Sequence, residues 1–274
     1  MTSAPDIQLD LSGASRCWRP APLIWLTLLL HAGAVVFLLA QPALWPWIVG
    51  VLVCNHLLLT GAVLWPKGQL LGPNLTRLPT FAAQRNEVAL TFDDGPDPEV
   101  TPQVLDLLDR YQAKASFFCI GEKAMAFPDI VKDIVRRGHS VENHSYHHPH
   151  AFSFFGTQRL RHEVRTAQTA ITGIAGRAPL FFRAPAGFRS PMLDPVLARA
   201  GLHYASWTRR GLDGVKSDPA AVLRRLTTDL AAGDVLLLHD GAREPVVLTV
   251  LPALLEQMAA QGLKSVSLPA GFAA

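Results

Sequence analysis

Four short stretches of this 274-residue chain set reactive side chains directly after apolar runs that read as β-strands. The first, Thr91-Phe92-Asp93-Asp94-Gly95, ends on two adjacent carboxylates. A solvent-facing turn would account for the pair, but neighbouring carboxylates can also divide labour, one holding a metal and the other staying free as a base. The second, Asn143-His144-Ser145-Tyr146-His147-His148-Pro149, spaces His144 and His148 by four. That spacing places both imidazoles on one face of a helical turn, a common way to hold a metal, with His147 pointing elsewhere and His150 solvated. The third is Phe182-Arg183-Ala184-Pro185-Ala186-Gly187, and the fourth is Leu236-Leu237-Leu238-His239-Asp240-Gly241. A period of two puts Leu237 and His239 on one strand face. Each stretch is weak alone. Together they mark strand exits, where α/β folds collect reactive groups.

The elements that would position these groups are legible from residue 86 onward. Strand-like runs cover 88–92, 115–120, 139–143, 180–183, 203–207, 235–238 and 264–268, and stretches of helical spacing lie between them at 101–111, 123–137, 158–174, 191–200, 220–231 and 246–261. Thr101-Pro102 reads as an N-cap with proline at the first helical position. Pro128 is expected to break the second helix, and Gly138, Gly201, Gly233 and Gly262 sit where helices should stop. Seven strands alternating with helices argue for a parallel α/β architecture, a barrel or an open sheet.

The front of the chain has a different character. No Asp, Glu, Lys or Arg occurs between Ala21 and Trp65, and of 47 charged residues only six precede Pro79. Two runs of membrane-spanning length, 21–40 and 45–65, flank the breaker Gln41-Pro42, with tryptophans near their ends. A two-helix transmembrane hairpin is the expectation. His31, Asn55 and His56 fall mid-span, and an interhelical hydrogen bond is the expected use for them. The flanks carry Arg16, Arg19, Lys67, Arg77 and Arg85, whereas the connecting loop carries no Lys or Arg, so the charge bias places tail and main domain on the cytoplasmic side of an inner membrane. The parts are then a tail (1–20), the hairpin (21–65), a linker (66–85) and the main domain (86–274). Only 17% of residues are charged, yet 49% are hydrophobic, which excludes a disordered chain. Beyond Pro79 the 21 basic and 20 acidic residues leave no basic footprint for nucleic acid. Three cysteines make no disulfide framework, and Cys54 and Cys119 read as buried thiols.

Taken in order, Thr91-Phe92-Asp93-Asp94-Gly95, His144-Ser145-x-x-His148, Arg183-x-Pro185-x-Gly187 and Leu237-x-His239 resemble the motifs of the polysaccharide deacetylases, also called NodB-homology or carbohydrate esterase family four proteins. The resemblance covers roughly residues 86–268. It implies a distorted (β/α) barrel and a divalent metal, zinc being the expected ion, held by Asp94, His144 and His148. It further implies Asp93 as general base, His239 as general acid, Arg183 as the group that orients Asp93, the Ala186 N–H as an oxyanion donor and Leu237 as a wall for the acyl methyl. Two departures stand out. Ala186 replaces a common aromatic, and the family's Asp–Trp motif is not visible. Trp207 and Asp213 lie in the right region: Asp213 would tune His239 or be a solvated loop acid, and Trp207 would flank the sugar or simply pack. Arg209 and Arg210 read as a solvated pair.

The implied function is a membrane-anchored, metal-dependent hydrolase that removes N-acetyl groups from amino sugars of a glycan or lipid-linked saccharide. The expected partners are that substrate and membrane lipid, with neither nucleic acid nor a protein partner. A catalytically silent carbohydrate-binding protein of the same fold is the alternative.

Overall fold

The computed structural model describes residues 9–215, 218–241 and 245–272, so the first eight residues of the expected tail lie outside the described residues. Two apolar helices come first, α1 (Pro22–Ala40) and α2 (Trp45–Val63). A short helix α3 (Thr80–Gln84) leads into alternating strands and helices: β1 (Glu87–Asp93), α4 (Val100–Arg110), β2 (Ser116–Cys119), α5 (Gly121–Ala126), α6 (Pro128–Arg136), β3 (Ser140–Asn143), α7 (Thr157–Ala175), β4 (Phe181–Phe182), α8 (Asp194–Arg199), β5 (His203–Tyr204), β6 (Arg209–Arg210), α9 (Pro219–Thr227), β7 (Val235–His239), α10 (Val246–Ala260), β8 (Lys264–Val266) and α11 (Leu268–Gly271). The sheet order is β5-β4-β3-β2-β1-β7-β6, with β8 paired to β1, and every pairing is parallel. This is a curled parallel sheet with helices outside it.

Residue parity decides what faces the interior. On β1, Val88, Leu90 and Phe92 join the outer core with residues of α4, α6, α9 and α10, while Ala89 joins Phe118, Phe181, Val235 and Leu237 in an inner cluster. Thr91 and Asp93 share the parity of Ala89, so they too point inward. The same count sends Leu237 and His239 inward on β7, with Leu236 and Leu238 facing the helices. Each fully buried Leu or Phe of these two layers contributes about 1.5–3 kcal/mol.

All seven expected strands are present, the helix break falls at Pro128, and Gly138, Gly201, Gly233 and Gly262 adopt positive φ of 81°, 69°, 85° and 69°. Several expectations are corrected. Arg209 and Arg210 are not a solvated pair but form β6, where Arg209 Nε bonds Asp234 Oδ2 at 2.6 Å and the Arg210 guanidinium stands 5.2 Å from the Trp207 ring. Thr101 does not cap α4. Asp97 Oδ1 accepts from the N–H groups of Glu99 and Val100 instead, which frees Thr101 Oγ1 to donate to Asp240 Oδ2 at 2.6 Å. Cys54 is exposed on α2, and only Cys119 is a buried thiol.

The segment read as a linker is packed. Leu75 bridges the seam beside β5, with its N–H on Tyr204 O and its carbonyl taking the Ser206 N–H, and Leu78 N–H reaches Gly233 O ahead of β7. Leu75, Leu78 and Ala82 are buried in the inner cluster. In the hairpin, Thr27 Oγ1 donates to Asn55 Oδ1 at 3.2 Å, and the rings of His31 and His56 meet edge to face at 5.3 Å.

Candidate active site

The β1 exit turns sharply. Asp93 is the last strand residue, and Asp94 follows with φ of 72°, which swings its carboxylate across the strand end. Gly95 is required here, because a Cβ on it would stand 2.4 Å from Asp240 Oδ2. Asp94 Oδ1 lies 3.3 Å from His144 Nε2 and 3.1 Å from His148 Nε2, and the three ligand atoms lie within 4.8 Å of one another.

Both histidines come from the irregular loop after β3, not from a helical turn as their spacing suggested. Ser145 and His148 take positive φ of 66° and 53°, and Pro149 disfavours a right-handed helical conformation at His148. Local polar groups hold the loop: Asn143 Oδ1 accepts from Ser145 N–H, Ser145 Oγ from His148 N–H, and Glu163 Oε2 from the N–H groups of Tyr146 and His147. His144 Nδ1 donates to Arg183 O at 2.9 Å, so its Nε2 presents a lone pair to the carboxylate. Burial and the neighbouring His144 lower His148 to about 4. Burial pushes Asp94 up, but the neighbouring imidazoles of His144, His148 and His239 hold it well below the ordinary carboxylate range. Asp94 Oδ1 is buried and makes no well-formed hydrogen bond. One carboxylate oxygen and two imidazole lone pairs converging on a point repel one another unless a cation lies between them, so these residues fit a single divalent ion with one Asp and two His donors.

Asp93 stands beside this cluster without joining it, its Oδ2 3.8 Å from His144 Nε2. Its Oδ1 takes a 2.6 Å bond from Arg183 Nη1. Arg183 is wholly buried: Nε donates to Ala205 O, Nη2 to Ser206 O and Nη1 also to Thr91 Oγ1, and the guanidinium lies 4.0 Å from the Phe118 ring centre. The arginine therefore fixes one oxygen of Asp93 and leaves the other free to accept a proton.

Across the sheet, Asp213 grips His239 twice, with Oδ2 on its N–H at 2.7 Å and Oδ1 on Nδ1 at 2.9 Å. The acid is buried, so it is not a solvated loop residue. Burial by itself lowers the His239 pKa, but the Asp213 hydrogen bond and charge, with the charges of Asp93 and Asp94, raise it above the ordinary imidazole value. His239 is thus held as a proton carrier with Nε2 the available nitrogen.

A family model described as polysaccharide deacetylase matches residues 82–205. A peptidoglycan-N-acetylglucosamine deacetylase of Bacillus cereus is 32% identical over 193 residues, covering 69% of this chain and 90% of that protein. A chitooligosaccharide deacetylase of a Bradyrhizobium strain is 36% identical over 180 residues, covering 60% and 78%. The solved structure of a family 4 carbohydrate esterase from Streptomyces lividans, in complex with acetate, is 33% identical with a TM-score of 0.61 and covers 65% of this chain and 91% of that one. The chain belongs to the polysaccharide deacetylase family. It is a carbohydrate N-deacetylase, a hydrolase.

The other expected residues of this deacetylase are placed as follows. Ala186 is exposed in the turn Pro185–Gly187 with φ of 55°. Gly187 follows at φ of 80°, and a Cβ on it would stand 2.4 Å from the Trp207 ring. Trp207 itself is 4% exposed and packs in the inner cluster, so it supports the site from behind and presents almost no face to a sugar. Leu237, 1% exposed, lies in the same cluster one alternation below His239.

Glu163, Asn143 and Asp240 are parts of the site that sequence reasoning missed. Glu163 also accepts from His147 Nδ1 at 2.8 Å. Its signal was present: on α7 it sits in the buried stripe of Leu160, Val164, Ala167 and Ile171, where an unpaired acid would be costly. Asp240 is buried beneath Gly95 and held by Thr101.

Proposed function

We propose that this protein is a membrane-anchored, metal-dependent deacetylase that hydrolyses the N-acetyl group of an amino sugar in a glycan or lipid-linked saccharide, releasing acetate and a free amine. The observation that carries the reading is the convergence of Asp94, His144 and His148 at one point, with Asp93 held by Arg183 on one side and His239 held by Asp213 on the other. A divalent ion at that point, zinc by the Asp and two His donor set, supplies Lewis acidity toward water and the amide carbonyl. Asp93 Oδ2 accepts the proton of the attacking water, since Oδ1 is engaged by Arg183. The Ala186 N–H helps hold the negative charge that develops on the carbonyl oxygen. His239 donates a proton from Nε2 to the departing nitrogen, which would otherwise leave as a poor amide anion. Leu237 closes the floor on which the acyl methyl rests.

A catalytically silent binder is not favoured, because binding alone needs neither a braced base nor a braced acid. A two-metal phosphoesterase is not favoured either: among the described residues only one cluster of this kind is found.

Membrane anchoring rests on α1 and α2, whose most apolar windows have mean hydropathy of 2.4 and 1.7 yet are only 6% and 11% buried. Each large apolar side chain left in water forgoes about 1.5–3 kcal/mol, and hydrocarbon removes that cost. The basic residues flanking the hairpin support a domain on the cytoplasmic face of the inner membrane. Protease treatment of intact spheroplasts should then leave the domain uncut; cleavage would place it outside.

The test of the chemistry is metal removal. Purified protein should contain about one divalent ion, lose acetate release on dialysis against a chelator and regain it with zinc. His148→Ala should contain no stoichiometric metal. Full activity in the chelated protein would overturn the reading.

The acid role gives a pH signature. The Asp213 carboxylate raises the folded pKa of His239, so the proton it donates is retained to higher pH and is lost as pH rises through that pKa. Asp213→Asn should move the alkaline limb of the kcat profile to lower pH with the metal content unchanged. An unmoved limb would remove Asp213 from this role.

A further inference from the structure

We infer that the catalytic mouth of this protein faces the bilayer that holds its hairpin, and that its substrate is an N-acetylated amino sugar carried on a membrane lipid. The inference rests on the membrane-anchored deacetylase reading and deepens it. Three observations carry it.

First, the two ends of the hairpin are tied to α8 and to the loop between β4 and α8, which contains the Ala186 turn. Pro66, just beyond α2, lies against that turn, 3.4 Å from where a Gly187 Cβ would stand. The carbonyls of Gly72 and Pro73 take bonds of 3.0 and 2.9 Å from Arg189, and on the other side of the hairpin the Arg16 N–H bonds Ala198 O of α8 at 2.7 Å. Second, Leu71 is buried in one cluster with Leu23 of α1 and Ala62 of α2, so the base of the hairpin is packed and not free to swing on a tether. Third, the domain leaves Phe154, Met192 and Val215 exposed by 88%, 52% and 76%. They stand in the loops after β3, β4 and β6, all at the strand exits that carry the site. An exposed Phe, Met and Val on one rim fit the acyl boundary of a membrane, where apolar side chains lose their cost. Trp65 and Leu70, exposed by 58% and 41%, continue this apolar character from the end of α2.

A site held this way meets sugars at headgroup height. A saccharide anchored by its own lipid is confined to the same surface, so its effective concentration at the site exceeds that of the same sugar in bulk water.

The test uses full-length protein in vesicles with zinc. One substrate is N-acetylglucosamine joined through phosphate to a long isoprenoid and placed in the same bilayer; the other is soluble chitotetraose. Acetate release should show kcat/KM at least tenfold higher for the lipid-borne sugar. Phe154→Ser and Val215→Ser should raise KM for that substrate several-fold and leave chitotetraose kinetics unchanged. Independently, a fluorophore on Phe154→Cys, in a Cys17→Ser, Cys54→Ser background, should be quenched by brominated lipids, whereas one on Gln261→Cys should not. Equal or faster hydrolysis of chitotetraose, or no quenching at 154, would overturn the inference and leave the deacetylase reading intact. Release from neither sugar by the metal-loaded protein would overturn both.

Discussion

Asp93→Asn is expected to reduce kcat by about 10²–10⁴-fold while the protein keeps its metal. The asparagine amide can occupy the same space but cannot take a proton from water. The distances separate the base from the ligands: Asp93 Oδ2 is 3.8 Å from His144 Nε2, whereas Asp94 Oδ1 is within 3.3 Å of both imidazoles. Metal analysis of the purified variant alongside single-turnover acetate release reads both quantities. Retained metal with lost turnover is the expected pair. Undiminished turnover would remove Asp93 from the base role, and loss of the ion would make it a ligand instead.

Arg183→Met should be the most destabilising single change near the site. Its guanidinium is wholly buried and satisfies Asp93, Thr91 and the carbonyls of Ala205 and Ser206. Methionine fills much of the volume but leaves a buried carboxylate without its counter-charge. Breaking one partner of such a pair costs about 3–5 kcal/mol, a large share of a typical domain's stability. A depressed melting temperature and lower yield of folded protein are expected, together with loss of the orientation of Asp93. Arg183→Lys should recover part of the stability but little of the activity, because one ammonium cannot bond four acceptors in a planar fork. Wild-type thermal stability in Arg183→Met would show that Asp93 is braced some other way.

Much of this arrangement was legible from residue types alone. The shared face of Leu237 and His239 on β7, the break at Pro128 and the positive-φ glycines all follow from local stereochemistry. The elements that escaped are those decided by distant partners. Two arginines do not read as a strand, yet β6 exists because β7 offers it a ladder and Asp234 neutralises Arg209. The His144–His148 spacing suggested a helical turn, but Asn143, Ser145 and Glu163 compete for the backbone donors that a helix would use. Residues 66–85 carry no periodic apolar pattern, so nothing local announced that Leu75 and Leu78 would be drawn into the sheet's seam. Asp213 lay between two readings until its carboxylate was found on the backbone N–H and on Nδ1 of His239.

The stitching of Leu75 beside β5 and of Leu78 ahead of β7 limits where this protein can be cut. A protease acting just past Trp65 would shed an α/β body whose sheet is still complete. Cleavage a few residues later, beyond Leu75, would instead unzip the seam and bare Ala205 and Trp207 to water. Any fragment that keeps the fold therefore retains residues 70–85 ahead of β1.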